Sequence, residues 1–283
     1  MKEITAKTKL AGILGNPVSH SLSPKLHGFL AEKTGADMVY LAFNIESKEQ
    51  LVPVLMGAKH MGFLGFNVTA PYKIDALSLA DVLDEDAKNL ANVNTLVNRD
   101  GKWHGYNTDG IGFMRSLKRR GASVEGRHVL LAGTGGTART LSYKLAQAGA
   151  ASVTIVSRKE NPLEEIRQMT QSFPDTELMC GLDKNFRYDI AVNCTPLGMG
   201  DYKDRNPMPE DFPYHADLLC CDLIYNPKKT VFLQTAEAQG AKTMNGLGML
   251  LYQGVCAFEH FTGLSVSEDI CDDLFRYFES DYK

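Results

Sequence analysis

The sequence has 283 residues, 44% of them hydrophobic and 23% charged. That length fits two domains of ordinary size, and that composition excludes a disordered chain, which combines low hydrophobicity with high net charge. With 30 Lys and Arg against 34 Asp and Glu the formal charge is −4, so electrostatics give no reason to expect a nucleic-acid partner.

In chain order, LAGILG (10–15) reads as a strand closed by the turn signal Gly15-Asn16-Pro17. Ser23 and Pro24 predict an N-cap and a first helical residue, and Gly35 a helix stop. MVYLAFNI (38–45) is rich in strand formers, and Ser47 with Gln50 forms a capping box for a helix to about residue 59. FLGFNV (63–68) predicts another strand, with Pro71 at a position suited to a helix start. Asp100-Gly101 lies between two β-like runs, a strong hairpin signal.

The middle third has a different character. HVLLAG (128–133), SVTIVSR (152–158), DIAVNCTP (189–196) and LLCCDLIY (218–225) contain near-continuous apolar runs. A helical pattern follows the first of them to about residue 148, with Gly149 at its end. Buried strands alternating with helices predict a parallel sheet covered on both faces. From about Gly246 the chain reads as two amphipathic helices. The fold class expected is α/β in two domains, with a boundary near residue 110 where the pattern changes.

The six cysteines are scattered without a C-x-x-C pair and read as reduced, mostly core thiols. The seven histidines show no metal-binding spacing, so no metal is expected. No apolar stretch reaches transmembrane length, and the N-terminal segment lacks the apolar core of a signal peptide. A cytoplasmic protein with no membrane partner is therefore expected.

Directly after HVLLA stand Gly133, Thr134, Gly135, Gly136, Thr137 and Ala138. Glycines there permit a tight turn and close approach of the backbone to a pyrophosphate. The helix that follows offers its N–H groups and positive dipole end to the same anion. The spacing is G-x-G-G-x-A, so the flanking strand and helix carry the reading more than the glycines do. The second strand of the unit ends in Ser157, Arg158 and Lys159. An acidic residue at that place would bond a ribose 2′-hydroxyl; a guanidinium and an ammonium suit a 2′-phosphate instead. NADP(H) is the cofactor expected, although such a pair of cations also occurs as an ordinary solvated strand end.

Polar clusters mark the first domain. Ser21 and Ser23 stand at a helix entrance, where hydroxyls and free N–H groups receive a carboxylate; Ser23 alone reads as a cap. Thr69 and Lys73 follow a strand, and Lys73 alone reads as a solvated charge. Asn94 lies in Asn92-Val93-Asn94-Thr95, and Asp109 alone reads as the N-cap of a helix over 110–120.

Taken together, these clusters have a recognisable order. H-S-L-S-P (20–24), N-V-T-A-P-Y-K (67–73), V-N-T (93–95) and Y-N-T-D-G (106–110) precede G-T-G-G-T-A-R (133–139). Asn193–Met199, Asp222–Pro227 and Asn245–Gly254 follow. The set resembles the shikimate dehydrogenase family along nearly the whole chain.

The resemblance implies reversible NADPH-dependent reduction of 3-dehydroshikimate, a small-molecule substrate, to shikimate, on the route to chorismate and the aromatic amino acids. It implies that Ser21 and Ser23 bind the substrate carboxylate. Thr69, Asn94, Asp109 and Gln253 would hold ring hydroxyls, with Tyr225 nearby, and Lys73 and Asp109 would form the catalytic pair. Gly133 to Ala138 would hold the pyrophosphate, Ser157, Arg158 and Lys159 the 2′-phosphate, and Leu223, Gly246 and Met249 the nicotinamide side. Residues 1–110, joined by helices over 246–283, would form the substrate domain. Residues 111–245 would form a Rossmann domain, with a cleft between the two that closes on ligand. The sequence departs from the family at Ala91-Asn92, where Gly-Ala is usual, at Ser157 and Lys159, and at Phe261, often Trp. A quinate/shikimate dehydrogenase of dual substrate or NAD/NADP specificity is the nearest alternative. A non-catalytic NADP-binding sensor is a remote one, since Lys73 and Asp109 are both present. Monomer and homodimer remain equally open.

Overall fold

The computed structural model describes residues 3–158, 161 and 163–281, with the Asp281 side chain left aside. The chain divides into two compact units, Met1–Gly112 with Leu251–Lys283, and Phe113–Leu250.

The first unit begins β1 (Lys9–Gly15), α1 (Ser23–Thr34), β2 (Met38–Asn44), α2 (Leu51–His60) and β3 (Gly65–Val68). It continues through α3 (Asp75–Leu79), β4 (Val82–Leu83), α4 (Glu85–Leu90), β5 (Thr95–Arg99) and β6 (Lys102–Tyr106). Its six-stranded sheet has the order β2-β1-β3-β5-β6-β4. β1 runs parallel to β2 and β3, whereas β5 is antiparallel to both β3 and β6. Leu14, Phe66, Val68, Leu96 and Trp103 pack one sheet face against Leu51, Leu55 and Ala58 of α2. α5 (Asp109–Arg119) then leads the chain into the second unit.

Three local expectations need correction. Ser23 is the first residue of α1, not its cap; Leu22 holds the cap position with no side-chain bond, and Ser21 Oγ accepts from the Ser23 N–H at 3.2 Å. Ser47 is extended and makes no cap bond, and Gln50 Oε1 accepts from the Glu46 N–H instead. A 3₁₀ turn covers Lys48–Gln50, and α2 starts only at Leu51. Pro53 explains the shift: a helix begun at Lys48 would place its ring in the interior, against a carbonyl of the preceding turn. Pro71 lies in a turn closed by Tyr72 N–H donating to Thr69 O at 3.0 Å, and α3 begins later, at Asp75.

The second unit runs β7 (His128–Ala132), α6 (Gly136–Gln147), β8 (Ser152–Val156), α7 (Glu164–Thr170) and β9 (Glu177–Cys180). β10 (Ile190–Asn193), β11 (Leu219–Asp222), α8 (Val231–Ala238) and β12 (Lys242–Met244) complete it. Its sheet is parallel throughout, with the order β9-β8-β7-β10-β11-β12, the doubly wound arrangement. Residues along β7 alternate between faces. Val129 and Leu131 join Leu141, Leu145 and Ile166, while Leu130 and Ala132 join Phe232, Leu233 and Ala236. Both faces being covered is what makes the strands read as continuous apolar runs.

α9 (Leu247–Thr262) then leads back into the first unit, followed by α10 (Glu268–Asp281). There Phe261 of α9 lies against Gly65 of β3, and α1 packs on α10. Among the described residues no helix is long and apolar enough to cross a membrane.

Candidate active site

Strand order gathers the polar clusters of the first unit. The chain passes from β1 to β2 on one side and then to β3 on the other, so β1 and β3 flank a switch point at their C-terminal ends. Ser21 and Ser23 follow β1, and Thr69 and Lys73 follow β3. Because β5 is antiparallel, its first residue Thr95 pairs with Asn67 near the end of β3 and with Tyr106 at the end of β6. Asn94 and Asp109 thereby arrive at the same edge of the sheet.

Lys73 Nζ meets Asp109 Oδ2 at 2.5 Å, with 27% and 12% of the side chains exposed. The other carboxylate oxygen, Oδ1, accepts from Asn94 Nδ2 at 2.8 Å. Asn94 is itself fixed, its Oδ1 accepting from the Thr108 N–H at 2.9 Å. Asp109 is the first residue of α5 rather than its cap. Its carboxylate is taken by Lys73 and Asn94, and its own N–H donates to Asn107 Oδ1 at 3.2 Å. An ammonium has three donors, so Lys73 keeps N–H groups for a further acceptor beyond Asp109.

At the carboxylate-binding candidates, Ser23 is buried and Ser21 half-buried. At the start of α1 the Ser23 N–H is taken by Ser21 Oγ, Pro24 has no N–H and the Leu26 N–H donates to Leu22 O at 3.0 Å, so the serine hydroxyls are what this turn offers a carboxylate. Gln253 lies half-buried on α9, and the adjacent Gly254 packs on Leu26, one turn into α1 from Ser23. Thr69 packs its methyl group on Gly15 at the end of β1.

In the second unit, Gly133 directly follows β7 with φ 108°, a conformation that favours glycine, and lies against Thr195 after β10. This is the point where the strand order reverses, the usual ligand crevice of such sheets. Gly135 is extended, and a Cβ at that position would meet nothing within 4 Å. α6 starts at Gly136 with no side-chain cap, Thr137 is half-buried and Ala138 is fully buried. Thr134 Oγ1 lies 3.4 Å from Ser157 Oγ, which joins the glycine turn to the end of β8. Arg158 is exposed there; Lys159 lies outside the described residues. An open glycine turn, an uncapped helix N-terminus and a cation after β8 together fit a dinucleotide that carries a 2′-phosphate.

Leu223 and Tyr225 follow β11. Gly246 approaches so closely that a Cβ on it would lie 2.0 Å from Leu223 O, and its N–H donates to Ile224 O at 3.0 Å. Met249 packs against the core of this unit, and Tyr225 is half-buried, its phenol pKa raised by burial. Asp222, present in the sequence only as the first residue of a motif, ties this loop down. It accepts from Asn193 Nδ2 at 3.0 Å, Ile224 N–H at 3.0 Å and Thr230 Oγ1 at 2.6 Å. Burial pushes its carboxyl pKa up while these donors pull it down. A lone acid closing an apolar run was its signal. The structure thus brings Lys73, Asp109 and Asn94 into direct contact and joins Ser21 to Ser23. Tyr225, Leu223, Gly246 and Met249 belong to the second unit.

Residues 13–96 match the family model of the shikimate dehydrogenase substrate binding domain, and residues 246–271 that of the shikimate 5′-dehydrogenase C-terminal domain. The chain is 38% identical over 273 residues to the shikimate dehydrogenase (NADP(+)) of Methanocaldococcus jannaschii, covering 94% of this chain and 96% of that one. Among solved structures it resembles a shikimate 5-dehydrogenase from Listeria monocytogenes in complex with shikimate and NAD. That match has TM-score 0.87 and 34% identity over 97% of this chain and 99% of the other. It also resembles the enzyme of Thermus thermophilus in complex with NADP(H) and shikimate, with TM-score 0.83 and 32% identity over 95% and 99% of the two chains.

Proposed function

The chain belongs to the shikimate dehydrogenase family, and from that premise we propose that it interconverts 3-dehydroshikimate and shikimate with NADP(H), using Lys73 and Asp109. The observation that carries the reading is the Lys73–Asp109 ion pair, braced by Asn94 at the sheet edge that also holds Ser21 and Ser23.

NADPH, when bound, supplies the hydride that reduces the ketone. The chain's own residues do the rest. Ser21 and Ser23 receive the carboxylate through their hydroxyls and set the ring's orientation. Thr69, Asn94, Asp109 and Gln253, with Tyr225, take the ring hydroxyls. Negative charge grows on the ketone oxygen as reduction proceeds. The Lys73 ammonium lies against that oxygen, stabilises the charge and delivers the proton. Asp109 holds the ammonium in place through one oxygen while Asn94 engages the other. In the reverse direction Lys73 accepts the proton from the alcohol.

The segment from Gly133 to Ala138 would hold the pyrophosphate, and Ser157, Arg158 and Lys159 the 2′-phosphate. Leu223, Gly246 and Met249 would face the nicotinamide. In this reading the first unit, Met1–Gly112 with Leu251–Lys283, acts as the substrate domain, and the second, Phe113–Leu250, as the NADP domain, so residues 246–250 fall to the NADP side and not to the substrate domain expected over 246–283. The protein works in the cytoplasm, as a monomer or homodimer.

Lys73→Ala tests the assignment. Turnover should fall at least a hundredfold, the range for losing a positioned acid/base, while shikimate affinity changes by only a few-fold. Turnover within a few-fold of wild type would remove Lys73 from the chemistry.

A further inference from the structure

Behind the reacting pair stand three polar side chains that the reaction as described leaves unused. Tyr40 on β2, Asn67 on β3 and Thr95 on β5 are all buried, Thr95 completely. They form a hydrogen-bond chain that runs in one direction. The Tyr40 hydroxyl donates to Asn67 Oδ1 at 2.7 Å, and Asn67 Nδ2 donates to Thr95 Oγ1 at 3.0 Å. Thr95 Oγ1 donates to Asn94 Oδ1 at 2.9 Å, and Asn94 Nδ2 donates to Asp109 Oδ1 at 2.8 Å.

The direction has a chemical consequence. A threonine hydroxyl has one proton. Because Asn67 supplies a donor to its oxygen, that proton is committed to Asn94 Oδ1. Asn94 Oδ1 then faces three donors, Thr95 Oγ1, the Thr108 N–H and, at 3.2 Å, Thr108 Oγ1. The amide can only present its nitrogen to Asp109. Turned over, it would set an oxygen against a carboxylate and its NH₂ against the Thr108 N–H. Asn67 is fixed in the same way, its Oδ1 accepting from the Tyr40 hydroxyl and its Nδ2 donating to Thr95 Oγ1. His27 stacks on Tyr40 at 4.0 Å with ring planes 6° apart, and burial lowers its pKa to about 3, which keeps it uncharged.

We infer that Thr95, with Asn67 and Tyr40 behind it, is a positioning residue that fixes the Asn94 amide so that a donor faces Asp109 Oδ1 and leaves Oδ2 for Lys73. This rests on Lys73 and Asp109 acting as proposed above. Thr95 touches neither substrate nor cofactor in this account; it acts through Asn94.

Two variants separate its hydroxyl from its packing. Thr95→Val keeps the shape and removes the proton; Thr95→Ser keeps the hydroxyl and loses a fully buried methyl group. With shikimate and NADP, Thr95→Val should lower kcat at least tenfold and raise the shikimate KM several-fold, leaving the NADP KM unchanged. Thr95→Ser should stay within about threefold of wild type although it packs worse. A serine variant impaired as much as the valine one, or a valine variant with wild-type kcat, would overturn the inference. Should Thr95→Val not fold, Tyr40→Phe makes the same test from the other end of the chain. It should lower kcat with an unchanged NADP KM, and wild-type kcat would overturn the inference. Lys73→Ala in the same series keeps the two ideas apart. If it retains turnover, the reading of the pair fails; if it is inactive while Thr95→Val is normal, only the role of Thr95 fails.

Discussion

At the scale of single residues, His27 shows how a buried titratable group exposes itself in stability rather than in catalysis. It sits against Tyr40, Phe258 and Phe261 with 1% of its surface exposed, and burial lowers its pKa from 6.5 to about 3. The unfolded chain binds a proton near pH 6.5 that the folded state refuses. The stability conferred by the neutral ring is therefore complete above that pH and is lost as pH falls toward 3. The slope through this one group is about 1.4 kcal/mol per pH unit. His27→Phe should remove roughly one proton from the acid dependence of unfolding, measured as urea unfolding free energies at pH 7 and pH 4.5. An unchanged difference between the two pH values would show that His27 is not the group responsible. Lys73 and Asp109 are legible in the sequence because they fall in motifs whose order is distinctive. Tyr40, Asn67 and Asp222 are not legible as partners, since each joins groups distant in sequence: Tyr40 reaches Asn67, and Asp222 reaches Asn193. Asp109 reads as a helix cap because a local pattern cannot show that Lys73, from another segment, takes its carboxylate.

At the scale of elements, local chemistry is legible wherever it decides the outcome by itself. Asp100 and Gly101 both take positive φ, 52° and 74°, and join β5 to β6 as the dipeptide predicts. The starts of α1 and α2 are less legible, because Ser21 and Pro53 outweigh the nearer capping candidates. β4, β9 and β12 carry too few residues for a period to show, and all three lie at sheet edges. α4 provides a test of local strain. Asp84 caps its start by accepting from the Ala87 N–H at 2.7 Å, but Ala91 at its end takes the left-handed conformation, φ 46°. A Cβ disfavours that conformation by roughly 1–2 kcal/mol, part of which glycine gives back as unfolded-chain entropy. Ala91→Gly should therefore stabilise the protein by about 0.5–1 kcal/mol, seen as a higher melting temperature. A lower one would mean that the Ala91 methyl group contributes packing that outweighs the strain.

At the scale of the whole molecule, both units obey the same rule: the ends of parallel strands beside a reversal of strand order carry the polar residues. In the first unit this collects Ser21, Ser23, Thr69, Lys73, Asn94 and Asp109 from four separate stretches of chain, and in the second it sets Gly133 beside Thr195. The α/β class is legible because β7, β8, β10 and β11 are buried on both faces and read as continuous apolar runs. The first unit is harder to read, since its sheet mixes parallel and antiparallel pairs and several strands are short. The claim that unites the scales is that this chain turns over shikimate with NADP. Initial rates of the purified protein with shikimate or quinate, each with NADP or NAD, test it most directly. Fast turnover confined to shikimate with NADP is the result expected, and comparable rates with quinate or NAD would mark a dual-specificity enzyme. No turnover of shikimate with either cofactor would contradict the account.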